Sequence, residues 1–252
     1  MIKLLDKGPS FMNETVVKIW FKTLETVLKL PGARIDRSDF LRQELLKKGC
    51  KEPEIDNAVS TTPAKAGISQ DIIMNISKGC IRDHKYKATL ASAFAGMPGG
   101  ILAWGAVPVD VLQFYWHIVV LIQKLSYLHG WQDLLGDREE IDNEVLGKFT
   151  LFIGVMLGMN SAKKGIGIMT EIYTKNALGG LKRLLDSNIA KIIEKIALRL
   201  GIKLGREKIS NTIGFMIPIV GGTISGAVTY SALGTMGENL RKHLSEQPLA
   251  KG

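Results

Sequence analysis

Cysteine, proline and uninterrupted apolar runs are scarce in this sequence. Its 252 residues include 2 cysteines and 8 prolines. Two cysteines are too few for the disulfide framework of a small secreted module, so we expect Cys50 and Cys80 to be reduced and buried. So little proline beside 46% hydrophobic residues excludes collagen-like, low-complexity and disordered chains. Asp6 and Lys7 interrupt the first apolar stretch, so no signal peptide is predicted and we expect a cytoplasmic protein.

Basic residues outnumber acidic residues, and the excess is concentrated in one part of the chain. The chain has 33 Lys+Arg and 24 Asp+Glu, a net charge of +9. Residues 148–212 hold twelve basic and four acidic residues, whereas residues 89–136 hold one Lys and two Asp. A concentrated positive surface attracts the phosphates of nucleic acid or anionic lipid, and it is equally typical of a solvated face. No helix-turn-helix, zinc-finger or RNA-binding pattern accompanies it, which argues against nucleic acid.

Apolar residues recur with helical periodicity, and no period-two strand set is present. Helices are predicted over residues 13–29, 38–48, 52–60, 69–79, 109–129, 149–159 and 180–200. Ser38 is a candidate N-cap, and Gly49 and Gly130 are candidate helix stops. We therefore predict an all-α fold, a multi-helix bundle.

Two glycine-rich apolar stretches, residues 88–109 and 209–237, contain no charged residue. Each reaches the roughly 20 residues that a membrane-spanning helix needs, but prolines and glycines interrupt both. Glycines four residues apart, such as Gly154 and Gly158, permit close helix contacts. The composition favours buried, Gly-rich apolar helical hairpins, and conditional insertion into a bilayer is the open alternative.

Two motifs, one before and one after the middle of the chain, resemble the EcsC family. The first, GMPGGILAWGAVPVD, runs from Gly96 to Asp110 and leads into an apolar helix before Gly130. The second, over residues 217–244, contains a Pro-x-x-Gly-Gly run. The family has a tyrosine directly before the glycine that ends the long helix, whereas two residues separate Tyr127 from Gly130 here. The resemblance implies a bacterial, predominantly helical protein that is cytoplasmic or membrane-associated, and it implies no known reaction.

The extent of this resemblance suggests three parts of the chain. Residues 1–85 are predicted to form a helical N-terminal extension, and residues 86–245 an EcsC-like helical domain. Residues 246–252 are predicted to form a flexible tail.

Asp110, Gln113 and His117 are candidate residues of a ligand-binding cleft. Asp110 opens an apolar helix in an otherwise uncharged stretch, although a carboxylate there also suits the free N–H groups of a helix N-terminus. His117 lies about 10 Å further along the helix, too far for a hydrogen bond to Asp110, and a buried structural histidine is the alternative. We expect His84 at the surface and His129 as a cation or a cap at a helix C-terminus.

The sequence shows no metal or cofactor motif. Its histidines and cysteines have neither His-x-x-x-His nor Cys-x-x-Cys spacing. A nucleophile elbow, a phosphate loop and a dinucleotide fingerprint are also missing. We therefore expect no metal and no cofactor, and whether the protein is an enzyme stays open.

Seven basic residues on or beside the helix over 180–200 are candidate contacts with anionic lipid: Lys182, Arg183, Lys191, Lys195, Arg199, Lys203 and Arg206. We expect a non-enzymatic, EcsC-like protein that associates peripherally with the inner face of the cytoplasmic membrane, or with a membrane-protein partner. One alternative is a pore-forming effector that inserts residues 209–237. Another is an enzyme or ligand-binding protein with a cleft near Asp110 and His117.

Overall fold

The computed structural model describes residues 9–95, 109–136, 140–175, 189–197 and 226–252, and every regular element in them is a helix. The all-α prediction is therefore confirmed for this part of the chain. The helices are α1 (Pro9–Leu28), α2 (Arg37–Leu46), α3 (Glu52–Ser60), α4 (Gln70–Ala95), α5 (Val109–Leu128), α6 (Asn143–Met156), α7 (Asn160–Thr174), α8 (residues 189–197), α9 (Gly226–Ser245) and a final 3₁₀ turn (Pro248–Ala250).

Helix α5 lies at the centre of the bundle, in contact with α1, α2, α4, α6 and α9. It is apolar on nearly every side, and Val119, Leu121 and Ile122 are completely buried. A helix of this composition needs other helices around it to keep its side chains from water. Gly130 follows its end with a φ of 89°, a left-handed conformation that favours glycine, as predicted.

Helix α4 packs antiparallel against α9. Side chains of α4 lie at two glycines of α9: Ile81 is next to Gly237, and Lys85, one turn later, is next to Gly234. Because the α4 positions rise while the α9 positions fall, the two helices run in opposite directions. The prediction over residues 69–79 ended α4 too early, since the helix continues to Ala95. The predicted domain boundary between residues 85 and 86 lies inside α4.

The N-terminal helices share one core with α5 and α6. Trp20 of α1 is completely buried and donates a hydrogen bond of 2.8 Å to the Thr150 hydroxyl of α6. Gln123 of α5 donates to the Ala33 carbonyl at 2.7 Å and accepts from the Ile35 N–H at 3.0 Å, which fastens the loop between α1 and α2. Residues 9–60 are therefore joined to α5 and α6 through buried contacts.

Arg37, at the start of α2, is buried and binds carbonyl oxygens from two other parts of the bundle. Its Nε donates to Trp131 at 3.0 Å, and its Nη1 donates to Val59 at 2.6 Å. Its Nη2 donates to Ala58 at 3.3 Å and Thr61 at 3.1 Å. Three of these carbonyls lie at the C-terminal end of α3, where a cation also interacts favourably with the helix dipole.

Helix caps differ in detail from the sequence prediction. The carboxylate of Asp36, not Ser38, caps α2 by accepting from the Asp39 N–H at 2.8 Å. Asp142 caps α6 in the same way, so α6 begins earlier than the predicted residue 149. Gly49 follows α2 with a φ of 78°, as its predicted role as a stop requires.

Helices α6 and α7 form a tight antiparallel pair. A Cβ on Gly154 would lie 2.5 Å from the Ala162 Cβ, so glycine permits this close contact. Gly158 has another role: its φ is 73°, and it ends the turn between the two helices. Sequence periodicity had not predicted α7.

The C-terminal residues pack against the bundle. Gln70 at the start of α4 donates a hydrogen bond of 2.7 Å to the Ala250 carbonyl, and Ala250 is buried. Residues 246–252, predicted as a flexible tail, thus include a 3₁₀ turn in contact with α4. Within the described residues, no helix has both the length and the apolar character needed to span a bilayer.

Candidate functional site

The predicted lipid-contact residues are described only in α8. Lys191 and Lys195 lie one turn apart and are exposed, whereas Ile192, Ile193 and Ile196 are buried. The amphipathic pattern predicted for this segment is therefore confirmed over residues 189–197. The remaining five candidates, Lys182, Arg183, Arg199, Lys203 and Arg206, lie outside the described residues.

The apolar side of α8 packs on α6. A Cβ built on Gly154 would lie 3.6 Å from the Ile192 Cγ2, so this isoleucine reaches the backbone of α6. Glu194, the one carboxylate among residues 189–197, is half-buried. The outer side of α8 consequently presents two lysines to solvent while its isoleucines stay within the protein.

The predicted ligand cleft is described in part. Asp110 is the second residue of α5, and its side chain lies outside what the structure describes. Gln113 is half-buried, and His117 is buried with 3% of its surface exposed. His117 lies in neither of the two cavities described below. The structure therefore places His117 in the core, as the structural alternative predicted.

His117 forms a hydrogen-bonded pair with His84 of α4. Their Nδ1 atoms lie 3.0 Å apart, and the imidazole planes are nearly perpendicular, at 82°. Burial lowers the pKa of His84 to about 3 and that of His117 to about 4, and the ammonium groups of Lys124 and Lys87 add to this effect. Both rings are therefore neutral at pH 7, and one Nδ1–H donates to the other Nδ1. The surface position expected for His84 was wrong.

His129 is also a neutral core histidine, and of the two roles expected from the sequence it has that of a helix cap, not that of a cation. Its Nδ1 donates at 2.8 Å to the Leu125 carbonyl, which also accepts from the His129 backbone N–H at 3.2 Å, so the ring caps the last turn of α5. Burial lowers its pKa to about 4, so it carries no charge at pH 7.

A basic groove of about 570 Å³ lies between α4 and α9. We call it the α4–α9 groove. Lys78, Arg82 and Lys85 of α4 follow helical i, i+4, i+7 spacing and lie on one side of that helix. Lys242 of α9 lies across the groove from them. The complete lining is Lys78, Ile81, Arg82, Lys85, Ser231, Gly234, Thr235, Glu238, Asn239 and Lys242.

Sequence reasoning had not found this groove. The spacing of the three α4 cations was a usable signal, but the predicted helix ended at residue 79, before two of them. The cation of α9 is distant in sequence, and only the antiparallel packing of the two helices brings it to the same groove.

A second cavity of about 370 Å³ lies between the start of α4 and the end of α9. His129 and Arg241 line it, together with residues from both chain segments. Arg241 is paired with Glu238 at 2.8 Å, and the His129 Nδ1 is used by Leu125. This cavity therefore offers fewer uncommitted polar groups than the α4–α9 groove.

No group of three or more histidine, cysteine or carboxylate side chains within the described part of the chain has a metal-binding arrangement. Cys50 and Cys80 are both buried free thiols, as predicted. Burial raises the pKa of Cys80 to about 11, so it is a protonated core residue.

Comparisons of the chain with protein-family models, with curated proteins and with solved structures found no match. The resemblance to the EcsC family consequently remains a proposal that depends on the two sequence motifs.

Proposed function

We propose that this chain is a non-enzymatic, EcsC-like bacterial protein that associates peripherally with anionic lipid at the inner face of the cytoplasmic membrane. The observation that carries the proposal is the division of α8 into two sides. Lys191 and Lys195 face solvent, whereas Ile192, Ile193 and Ile196 of the same helix are buried in the protein.

This division favours electrostatic attachment over insertion of an apolar wedge. Burying α8 in the interfacial region of a bilayer would require Ile192, Ile193 and Ile196 to leave the core. Insertion would gain no apolar burial, because the bilayer interior is no more apolar than the core that these side chains occupy, and it would lose their close packing in the protein. Its lysines remain available, and each basic residue near an anionic surface contributes about 1 kcal/mol.

The proposal extends to residues that the structure does not describe. Arg199, Lys203 and Arg206 would continue the positive surface beyond α8, and Lys182 and Arg183 would precede it. The Gly-rich apolar stretches over residues 88–109 and 209–237, whose described parts belong to α4, α5 and α9, would form buried helical hairpins within the same bundle. A membrane protein with an acidic cytoplasmic surface is the alternative partner of this basic region.

Vesicle flotation with a charge-reversal variant tests the proposal. Lys191→Glu/Lys195→Glu is compared with Lys48→Glu/Lys65→Glu, which changes the net charge equally at two exposed lysines elsewhere. We expect the α8 variant to bind phosphatidylglycerol vesicles at least tenfold more weakly than the control variant. Equal binding of the two variants would show that α8 does not contact the lipid.

Flotation on neutral phosphatidylcholine vesicles completes the design. Wild-type protein should remain unbound there, because a peripheral electrostatic contact requires anionic headgroups. Binding that is indifferent to the lipid charge would contradict the proposal.

A further inference from the structure

The α4–α9 groove concentrates positive charge from two helices. Four cations, Lys78, Arg82, Lys85 and Lys242, line it together with one carboxylate, Glu238. That carboxylate accepts two contacts of 2.8 and 2.9 Å from the guanidinium of Arg241, which does not line the groove. The groove therefore retains an excess of positive charge.

Two of the four cations have no acidic partner in the described structure. Among the residues described, no carboxylate oxygen lies within 4.0 Å of the Nζ atoms of Lys78 and Lys242, and both side chains are exposed. The nearest carboxylate contact of Arg82 is its neighbour Asp83, at 3.9 Å between exposed side chains. Like charges in one concave surface repel one another, and an anion bound between them removes that repulsion.

A glycine provides the space for the Lys85 side chain in the groove. A Cβ on Gly234 would lie 2.8 Å from the Lys85 Cε and 2.9 Å from its Nζ. Any larger residue at position 234 would displace this ammonium group. The backbone of α9 therefore approaches α4 closely enough for Lys85 to lie directly over it.

The composition of the lining suits a phosphate ligand. Three of the four cations are lysines, which bind phosphate oxygens as compact point charges, and the fork of Arg82 also fits phosphate. The hydroxyls of Ser231 and Thr235 add hydrogen-bond donors on the α9 side. A volume of about 570 Å³ is in the range of small-molecule sites.

We propose that the α4–α9 groove binds a ligand that carries at least two phosphate charges, through Lys78, Lys85 and Lys242. A lipid headgroup or a soluble polyphosphate supplies the same chemistry. In the first case the inference rests on the proposed membrane association and identifies a second lipid contact. In the second case it stands independently of that association.

The test measures binding of sodium pyrophosphate to the full chain by isothermal titration calorimetry, and binding to phosphatidic acid vesicles by flotation. Two variants address the groove. Lys78→Glu/Lys242→Glu reverses two charges, and Gly234→Ala displaces the Lys85 ammonium without changing the net charge. Lys48→Glu/Lys65→Glu is the charge-matched control, and circular dichroism establishes that each variant is folded.

We expect wild type and control to bind pyrophosphate or phosphatidic acid vesicles, and the charge-reversal variant to bind at least tenfold more weakly. Gly234→Ala should weaken binding severalfold, since one of the cations moves. Pyrophosphate binding identifies a soluble ligand as sufficient, whereas groove-dependent binding to vesicles alone identifies a lipid headgroup. Both outcomes support the groove as the phosphate site.

Three results would overturn the inference. The first is that neither probe binds. The second is equal binding by groove variants and control. The third is that polyglutamate displaces bound pyrophosphate at a lower concentration than triphosphate does. This result would indicate that the groove binds an acidic protein partner instead. The Lys191→Glu/Lys195→Glu variant separates this inference from the proposed function, because it should lose phosphatidylglycerol binding and retain pyrophosphate binding.

Discussion

His84 and His117 share a hydrogen bond of 3.0 Å between their Nδ1 atoms at the contact of α4 with α5. Both side chains are 3% exposed, and each serves as the other's polar partner within a largely apolar core. Such a pair satisfies two buried polar groups while both rings are neutral. A proton added to either ring would place a buried charge beside another imidazole and near the ammonium groups of Lys87 and Lys124.

The buried histidine pair should make the protein sensitive to acid. Folding lowers the pKa of His84 to about 3 and of His117 to about 4, below the ordinary value of 6.5. The unfolded chain therefore takes up protons first, and stability present above pH 6.5 falls as the pH drops towards 4. The loss reaches at most about 2 kcal/mol per histidine at pH 5.

Urea unfolding at pH 7 and pH 5 measures this effect. In His84→Leu/His117→Leu both polar partners are replaced together, so no buried donor is left unsatisfied. His129 is retained, and its contribution cancels in the comparison. We expect the variant to lose less stability than wild type on acidification. An identical loss in both proteins would show that the pair does not titrate as described.

Gly154 should tolerate no side chain. A Cβ there would lie 2.5 Å from the Ala162 Cβ, so Gly154→Ala should lower the free energy of unfolding by about 1–3 kcal/mol through overpacking. Gly167 of α7 is the matched control, because a Cβ at that position meets nothing within 4 Å. Gly167→Ala should raise stability by about 0.5–1 kcal/mol through helix propensity. Thermal unfolding of the two variants measures both values, and similar effects from both would contradict the close contact.

Arg37 should contribute far more to stability than the exposed Arg42. Arg37→Ala removes the donors of four carbonyls, and we expect a loss of about 2–4 kcal/mol. Arg42 contacts Asp56 at 2.6 Å, but the side chains are 45% and 60% exposed, so Arg42→Ala should cost less than about 1 kcal/mol. Denaturant titration distinguishes the two, and comparable losses would argue against the bridging role of Arg37.

Peripheral attachment predicts that anionic vesicles stay intact. Leu233, Leu240 and Leu244 of α9 are completely buried, and insertion of residues 209–237 would pull α9 away from α4 and α5. Leu240 and Leu244 lie outside the inserted segment, and exposing them to water would cost about 1.5–3 kcal/mol each, so release is opposed. We expect no escape of trapped fluorescent dye at neutral or acidic pH. Leakage that depends on protein concentration would instead support the pore-forming alternative.

Local sequence patterns correctly predicted α5, the helix at the centre of the bundle. The periodicity over residues 109–129 and the stop at Gly130 correspond to α5, because an apolar helix and its glycine stop are both local features. α7 was missed because Gly165 and Gly167 weaken its helical pattern, whereas α6 and the rest of the core compensate through packing. The helix propensity of a short stretch of sequence does not include the stability that packing against the rest of the protein adds.

The candidate site could be predicted from the sequence less completely than the fold, because tertiary packing brings its residues together. The basic side of α8 was predictable, since Lys191, Lys195 and the intervening isoleucines follow one helical period. The α4–α9 groove was not, because Lys78 and Lys242 lie far apart in sequence. The prediction that His84 lies at the surface was also wrong. Its charged neighbours in sequence suggested exposure, whereas its side of α4 faces α5.

Binding of the full chain to vesicles of increasing phosphatidylglycerol content tests the central claim most directly. A peripheral, electrostatic protein should bind weakly to pure phosphatidylcholine and increasingly strongly as the anionic fraction rises, and added salt should release it. Equal binding at every lipid composition, or binding that high salt leaves unchanged, would contradict the account.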